Sequence, residues 1–397
     1  MPTHHNREQH TMPENNALST NAGKRRAAHN AVNPAKSASS EHPAINTISL
    51  FSGGGGMDLG FSAAGYSIRS SIDIDPFSCK TLALNAGKRS YYPDHDVLNE
   101  DICKVDTSRL LESSGLKKGQ VDAIIGGPPC QAFSVFGKRG GLGDPRGNLI
   151  WEYLRIIKEL QPKAFVFENV YGLRTIYNGT LYQKLLEALA CDGEYVVSDH
   201  NYELEDYGIP QFRNRIFFIG HRGGRRIPPI AKTHGPPGFF TDLLPYVTVK
   251  KALDGMPNPG TGAIPNHIGR VHSDRIIERY ANLKYGERDS QTRINRLDPD
   301  RPSFTIIVGS DAGGGKGHVH PHQPREVTPR ESARIQTFPD WWEFYGTGRH
   351  VIRQVGNAVP PLFASLLGQH VSKYIFGRKE IPSYPETVNQ LGLDFLR

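Results

Sequence analysis

Four side chains in this sequence combine reactive chemistry with an unusual setting: Cys130, Glu168, Arg213 and Arg215. Cys130 follows two prolines in Gly126-Gly-Pro-Pro-Cys-Gln-Ala-Phe-Ser134. Each proline fixes its own φ, so the loop is stiff and points the thiol in one direction. A thiolate is a good nucleophile toward an electron-poor carbon. The plainer account is an inert buried thiol, common for cysteine but ill matched to a Pro-Pro-Cys loop. Glu168 ends the apolar run AFVFENV. A carboxyl group in that low-dielectric position is pushed toward its protonated form and can hydrogen-bond a ring nitrogen. Gln211-Phe-Arg-Asn-Arg215 precedes a further apolar run and brings two planar, permanently charged donors suited to a carbonyl oxygen. A merely structural ion pair between Glu168 and an arginine is the competing account.

A second group of residues reads as a cofactor site. Phe51-Ser-Gly-Gly-Gly-Gly-Met-Asp-Leu-Gly60 follows the first apolar run. Glycines there let backbone approach a ligand, and the helix start offers free N–H groups. The run does not fit GxGxxG and lacks the GK[ST] of a phosphate-cradling loop, so a nucleotide-like ligand without a tightly held pyrophosphate fits better. Asp73 lies roughly 20 residues on and can accept both hydroxyls of a ribose. Ile74 then offers an apolar face to an adenine, and Asp101-Ile102 can hold its amino group.

These residues need a scaffold that gathers them. INTISLF, SIRSSIDID, VDAIIGG, AFVFENV and RIFFIG read as strands. They alternate with helical stretches that begin near Met57 and include PFSCKTLALNA, LIWEYLRIIKELQ and LYQKLLEALA. Alternating strands and helices predict an α/β fold with a doubly wound, mostly parallel sheet, whose ligands sit at the carboxyl ends of the strands. The glycine run, Asp73, the Pro-Pro-Cys loop and Glu168 all stand at such ends. Periodicity fades after Gly220 and returns around Pro329, which predicts an inserted, irregular small domain.

Composition narrows the rest. The chain has 397 residues, enough for more than one domain, and a net charge of +7. The excess of basic residues is concentrated between Arg222 and Arg325, a stretch also rich in glycine, proline and histidine. That suits phosphate contacts or, equally, a solvated insert. Residues 1–44 hold almost no large apolar side chains and read as a disordered extension. No run of roughly 18 apolar residues suggests a membrane span. The N-terminus has no secretory pattern, so a cytoplasmic setting is expected. The four cysteines (Cys79, Cys103, Cys130 and Cys191) form no CxxC pair, so no metal site and no disulfide framework is expected.

Taken in order, these segments resemble the cytosine carbon-5 DNA methyltransferases, over about residues 46 to 375. FSGGGGMDLGF looks like the cofactor loop, PPCQAFS the catalytic loop, ENV the acid motif, and QFRNR, led by DYGIPQ, the arginine motif. TPRESARIQTFPD and QVGNAVP resemble the two C-terminal motifs. The resemblance implies an S-adenosylmethionine-dependent enzyme with catalytic residues Cys130, Glu168, Arg213 and Arg215. Cys130 would attack carbon 6, Glu168 would hold N3 and the exocyclic amine, and Arg215 would meet the base O2. It implies cofactor contacts from Phe51, Ser52, Gly53, Gly54, Gly55, Gly56, Met57, Asp73, Ile74, Asp101, Ile102, Pro128, Leu149, Asn357 and Val359. It implies double-stranded DNA as substrate, with the target base flipped out and contacts from Gln131, Ser134, Arg146, Thr305 and Ile306. The domain plan it implies is an extension at 1–44, a catalytic domain at 45–221 completed by 345–397, and a target-recognition domain at 222–344. A monomeric, bacterial, nucleoid-associated modification enzyme of a restriction-modification system is expected.

Two rival readings stay open at this point. The same chemistry on tRNA is one, although the long basic insert favours DNA. A DNA-binding regulator that keeps the scaffold without catalysis is the other, although Cys130, Glu168, Arg213 and Arg215 are all present.

Overall fold

The computed structural model describes residues 43–129, 149–236, 238, 242–306, 308 and 316–397. Seven strands form one sheet: β1 (Ile45–Leu50), β2 (Tyr66–Asp73), β3 (Asp96–Asn99), β4 (Ala123–Gly126), β5 (Ala164–Val170), β6 (Val196–Glu203) and β7 (Asn214–His221). Their order is β3-β2-β1-β4-β5-β7-β6. The first five pair in parallel, while β7 runs antiparallel to both β5 and β6. The doubly wound, mostly parallel α/β sheet expected from the sequence is therefore present.

Alternation along the central strands explains the layers. Ile125, Val166, Phe217 and Ile219 face one core, and Ile124, Phe165, Phe167, Ile216 and Phe218 face the other, as period-two side chains must. Both faces are covered, which is why these strands read as nearly continuous apolar runs. Eleven helices are described: α1 (Gly56–Ala63), α2 (Pro76–Asn85), α3 (Thr107–Ser114), α4 (Leu149–Leu160), α5 (Thr180–Leu189), α6 (Val249–Ala252), α7 (Asp274–Ala281), α8 (Pro329–Ile335), α9 (Gly348–Asn357), α10 (Pro361–Ile375) and α11 (Tyr384–Leu391). On α4, Ile150, Tyr153, Leu154 and Ile157 recur at helical spacing and are buried beneath the sheet. On the other face α1 lies against α10, whose Leu362, Phe363 and Leu367 share a core with Leu59 and Phe61.

Several elements go beyond the sequence reading, β6 and α3 among them. β6 alternates poorly, with Asp199, His200 and Asn201 in its middle, and pairs only at the sheet edge through β7. α3 carries one fully buried leucine, Leu110, too few to mark a helix by pattern alone. The segment after β7 is irregular. Val249, Leu297 and Val327 join the main core, while Tyr280, Ile294 and Val319 form a small cluster of their own.

Candidate active site

β5 and β7 build the charged part of the site. In their antiparallel register Glu168 lies opposite Phe217 and Val170 opposite Arg215. Arg215 therefore shares a face with Glu168 along the diagonal, and its Nε stands 2.9 Å from Glu168 Oε1. Burial pushes the Glu168 carboxyl above its ordinary range, against the pull of Arg215 and Arg213. The structural ion pair weighed from the sequence is thus real. A proton-sharing carboxyl and a paired guanidinium at a strand end are also what a polar ring would need.

Arg213 is the second arginine expected to orient the site. It is 2% exposed, and its Nη2 donates to the carbonyls of Gly356 (2.9 Å) and Ala358 (3.1 Å). Burial, then the charge of Arg215, drives its pKa far down. It clamps the end of α9 and the loop after it onto the arginine segment.

The Pro-Pro-Cys loop starts against Glu168. An added Cβ at Gly127 would lie 2.8 Å from Glu168 Oε2, so a side chain there would push the carboxyl aside. Asn169 Nδ2 donates to the Pro128 carbonyl at 3.1 Å, and Pro128 is itself buried. Cys130, Gln131, Ser134 and Arg146 lie outside the described residues. The thiols that are described all have raised pKa values: burial takes Cys79 up to about 12 and also raises Cys103 and Cys191. None of them is poised as a thiolate.

The glycine run is shaped by two demands. Gly53 and Gly55 have φ of +53° and +82°, and the Gly53 N–H donates to Asp73 Oδ2 at 2.8 Å. The Asp75 N–H takes Asp73 Oδ1 at 2.8 Å, so Asp73 ties the loop to the end of β2. Burial raises its pKa. Gly56 answers to packing: an added Cβ would lie 2.1 Å from the Val359 carbonyl. Gly54 faces Gln354 of α9, and Met57 is buried in the first turn of α1. Phe51 and Ser52 lead into the loop, Phe51 with φ of +55° and Ser52 with its N–H on Ile72 O.

Ile74 is 67% exposed at the end of β2, an apolar face ready to be covered. Asn357 is exposed at the end of α9, Val359 is buried behind it, and Leu149 is half-buried at the start of α4. Two residues expected to make contacts are buried. Ile102 is 5% exposed and packs in the core. Its neighbour Asp101 caps a turn through the Cys103 N–H at 3.1 Å. Ile306, expected at the DNA surface, is 4% exposed and packs in the main core. Thr305 beside it is exposed, and its hydroxyl donates to Phe212 O at 2.7 Å.

Sequence reasoning missed Asp58. This fully buried carboxyl accepts from Ser49 and Ser71 beneath the glycine loop, and burial raises its pKa. An acid in the first turn of a helix reads as an ordinary cap, so only the serines on β1 and β2 could have pointed to it. Among the described residues, no group of three or more His, Cys, Asp or Glu could hold a metal ion. No described helix is long and apolar enough to cross a membrane.

Comparison with known proteins adds an independent line. The model of the family of C-5 cytosine-specific DNA methylases matches residues 45–373. The type II methyltransferase M.XorII of Xanthomonas oryzae pv. oryzae is 32% identical, over 85% of this chain and 86% of its own. The type II methyltransferase M1.HphI of Haemophilus parahaemolyticus is 35% identical, over 83% and 87%. Among solved structures, a prophage-encoded Escherichia coli chain described as a DNA modification methyltransferase superposes with a TM-score of 0.66 at 29% identity, covering 84% of this chain and all of that one. The Dnmt2 methyltransferase of S. pombe, at 17% identity and a TM-score of 0.58, shares the fold.

Proposed function

The chain belongs to the C-5 cytosine-specific DNA methylases, and from that premise we propose that Cys130 attacks a cytosine flipped out of duplex DNA at a defined sequence. It is a DNA methyltransferase of the type II restriction-modification kind. The observation that carries the proposal is the meeting of three strand ends. Glu168 and Arg215 are paired at 2.9 Å, Gly127 at the foot of the cysteine loop lies against that carboxyl, and the Pro128 carbonyl accepts from Asn169.

The residues at the ends of β1 and β2 fit S-adenosylmethionine. The open face of Ile74 suits an adenine, the lone pairs left on Asp73 suit ribose hydroxyls, and Asn357 offers an exposed amide. When bound, that cofactor supplies an electrophilic methyl group. The protein's own part is nucleophilic and electrostatic. The Cys130 thiolate adds to carbon 6, and the displaced electron pair moves through the ring toward carbon 5 and N3. Glu168 shares its proton with N3 and accepts from the exocyclic amine, which its raised pKa favours. Arg215 donates to the base O2 while it neutralises Glu168. Once carbon 5 is methylated, a water molecule takes its proton, that electron pair re-forms the 5,6 double bond and expels the thiolate from carbon 6, and N3 returns the shared proton to Glu168. Arg213 holds the frame without touching the base.

The segment 222–344 is the proposed target-recognition domain, with Thr305 on the DNA side, and 45–221 with 345–397 the catalytic domain. A monomer acting beside the bacterial nucleoid, as the protective half of a restriction-modification pair, fits one base per event. Duplex DNA carrying 5-fluorocytosine tests the proposal, because fluorine cannot leave carbon 5 as a proton does. A covalent protein–DNA adduct mapped to Cys130 is expected, and its absence alongside active methylation of ordinary DNA would overturn the nucleophile. The same assay on tRNA should give no product.

A further inference from the structure

Thr305 is proposed to face DNA, and its segment is fastened both to His318 of its own domain, through the Thr305 carbonyl at 3.0 Å, and to the arginine loop. Residues 303–305 run alongside 210–212. Ser303 N–H donates to Pro210 O at 2.9 Å, Phe212 N–H to Ser303 O at 2.8 Å, and the Thr305 hydroxyl to Phe212 O. On the inner side of this short pairing lie two fully buried glutamines, Gln211 and Gln336. The Ile306 N–H donates to Gln211 Oε1 at 3.2 Å, Gln211 Nε2 donates to Gln336 Oε1, and Gln336 Nε2 donates to the Ala358 carbonyl at 2.6 Å. A backbone donor at one end and a backbone acceptor at the other fix the direction of both amides. Ala358 O is the same carbonyl that Arg213 clamps, and it sits between Asn357 and Val359.

We propose that Gln211 and Gln336 are positioning residues that lock the DNA-facing Thr305 edge in register with the arginine clamp and the Asn357–Val359 loop, so that correct seating on DNA and assembly of the reaction site depend on one buried amide chain. Neither glutamine touches a reacting atom. The chain replaces a hydrophobic contact that would tolerate sliding, because a one-way series of hydrogen bonds has only one satisfied arrangement. This inference rests on the reading of Thr305 as a DNA contact.

The test uses the full chain, genomic DNA from a host lacking cytosine methylation, and radiolabelled S-adenosylmethionine, with bisulfite sequencing of the product. Gln336→Leu should lower kcat by about tenfold or more while KM for S-adenosylmethionine stays within about twofold. The share of methyl groups at sites with one mismatched base should rise several-fold relative to the principal site. Gln336→Glu gives a second reading that does not depend on Gln336→Leu being folded. An ionised glutamate presents an acceptor to Ala358 O, but a protonated one donates as the amide does. Its activity relative to the unsubstituted protein should therefore climb as pH falls. A Gln336→Leu protein with a cooperative melt and unchanged kcat and site profile would overturn the inference, as would a flat pH ratio for Gln336→Glu. An unsubstituted chain that leaves every cytosine unmodified would instead overturn the function, and this inference with it.

Discussion

At the rim of the sheet, Glu168 and Arg215 take positions set by the β5–β7 register and are backed by the fully buried Phe165, Phe167, Phe217 and Phe218. From α7 to α8, by contrast, Tyr280, Ile294 and Val319 gather into a small cluster of their own, Leu297, Ile306 and Val327 reach the main core, and polar clips join the described residues between them. Arg296 alone donates to four carbonyls, those of Pro321, Tyr280, Ala281 and Leu283. Asp289 gathers Arg279 and the Thr292 hydroxyl and N–H. The difference teaches that the proposed catalytic rim is placed by packing, which resists local change. The proposed recognition segment leans more on directional bonds, which can be rewritten one residue at a time.

That contrast can be broken most sharply on the rim. Cys130→Ser should remove methyl transfer by more than about a thousandfold while leaving cofactor affinity within twofold, as read by labelled-methyl transfer and calorimetry. Glu168→Gln keeps the shape and loses the shared proton, so kcat should fall by about 10²–10⁴ in a protein that still melts cooperatively. On the other side, Arg296→Met leaves four carbonyls short of a donor. It should loosen the segment by roughly 2–3 kcal/mol, seen as lost hydrogen-exchange protection at 280–321 and a raised KM for DNA. Cofactor affinity should be unaffected.

Acid separates the two regions by sign. Burial takes His234 and His320 down to about 4 and lowers His318 as well. These rings are neutral in the fold but charge near 6.5 when unfolded. Their contribution is thus complete above about 6.5 and is lost as pH falls from there toward 4. The rim carboxyls Asp58, Asp73 and Glu168 are shifted up by burial, so their protonation on acidification removes a penalty. Hydrogen exchange at pH 5 should therefore show the 295–320 region opening before β1 and the glycine loop. Equal loss in both would end the distinction. The smallest effect belongs to the N-terminus: removing residues 1–44 should leave activity within about twofold.

Much of the rim could be read from residue types. Glycine runs, Pro-Pro-Cys and an acid ending an apolar strand are local signals, and each sits where β1, β4 and β5 end. What stayed hidden depends on long-range pairing. Nothing in QFRNR says that Arg213 reaches carbonyls of residues 356 and 358, because that contact exists only once α9 has docked. Ile306 and Ile102 were placed at surfaces since apolar residues beside polar ones read the same whether they face solvent or core. β6 escaped because an edge strand with polar middle positions lacks the period-two pattern.

The reversed strand β7 has a consequence for how this molecule can change. It begins at the rim with Arg215 and ends at the far side of the sheet with His221, so the chain leaves the catalytic layer facing away from its own reaction site. Before Ser303 returns beside Phe212, Val249 and Leu297 anchor the path in the main core. Stretches between such anchors can be lengthened, shortened or exchanged while the anchors stay in place. Swapping residues 228–306, Thr305 included but the core residues Val249, Leu297 and Ile306 kept, for those of a relative with another target should therefore transplant sequence preference and leave the chemistry untouched.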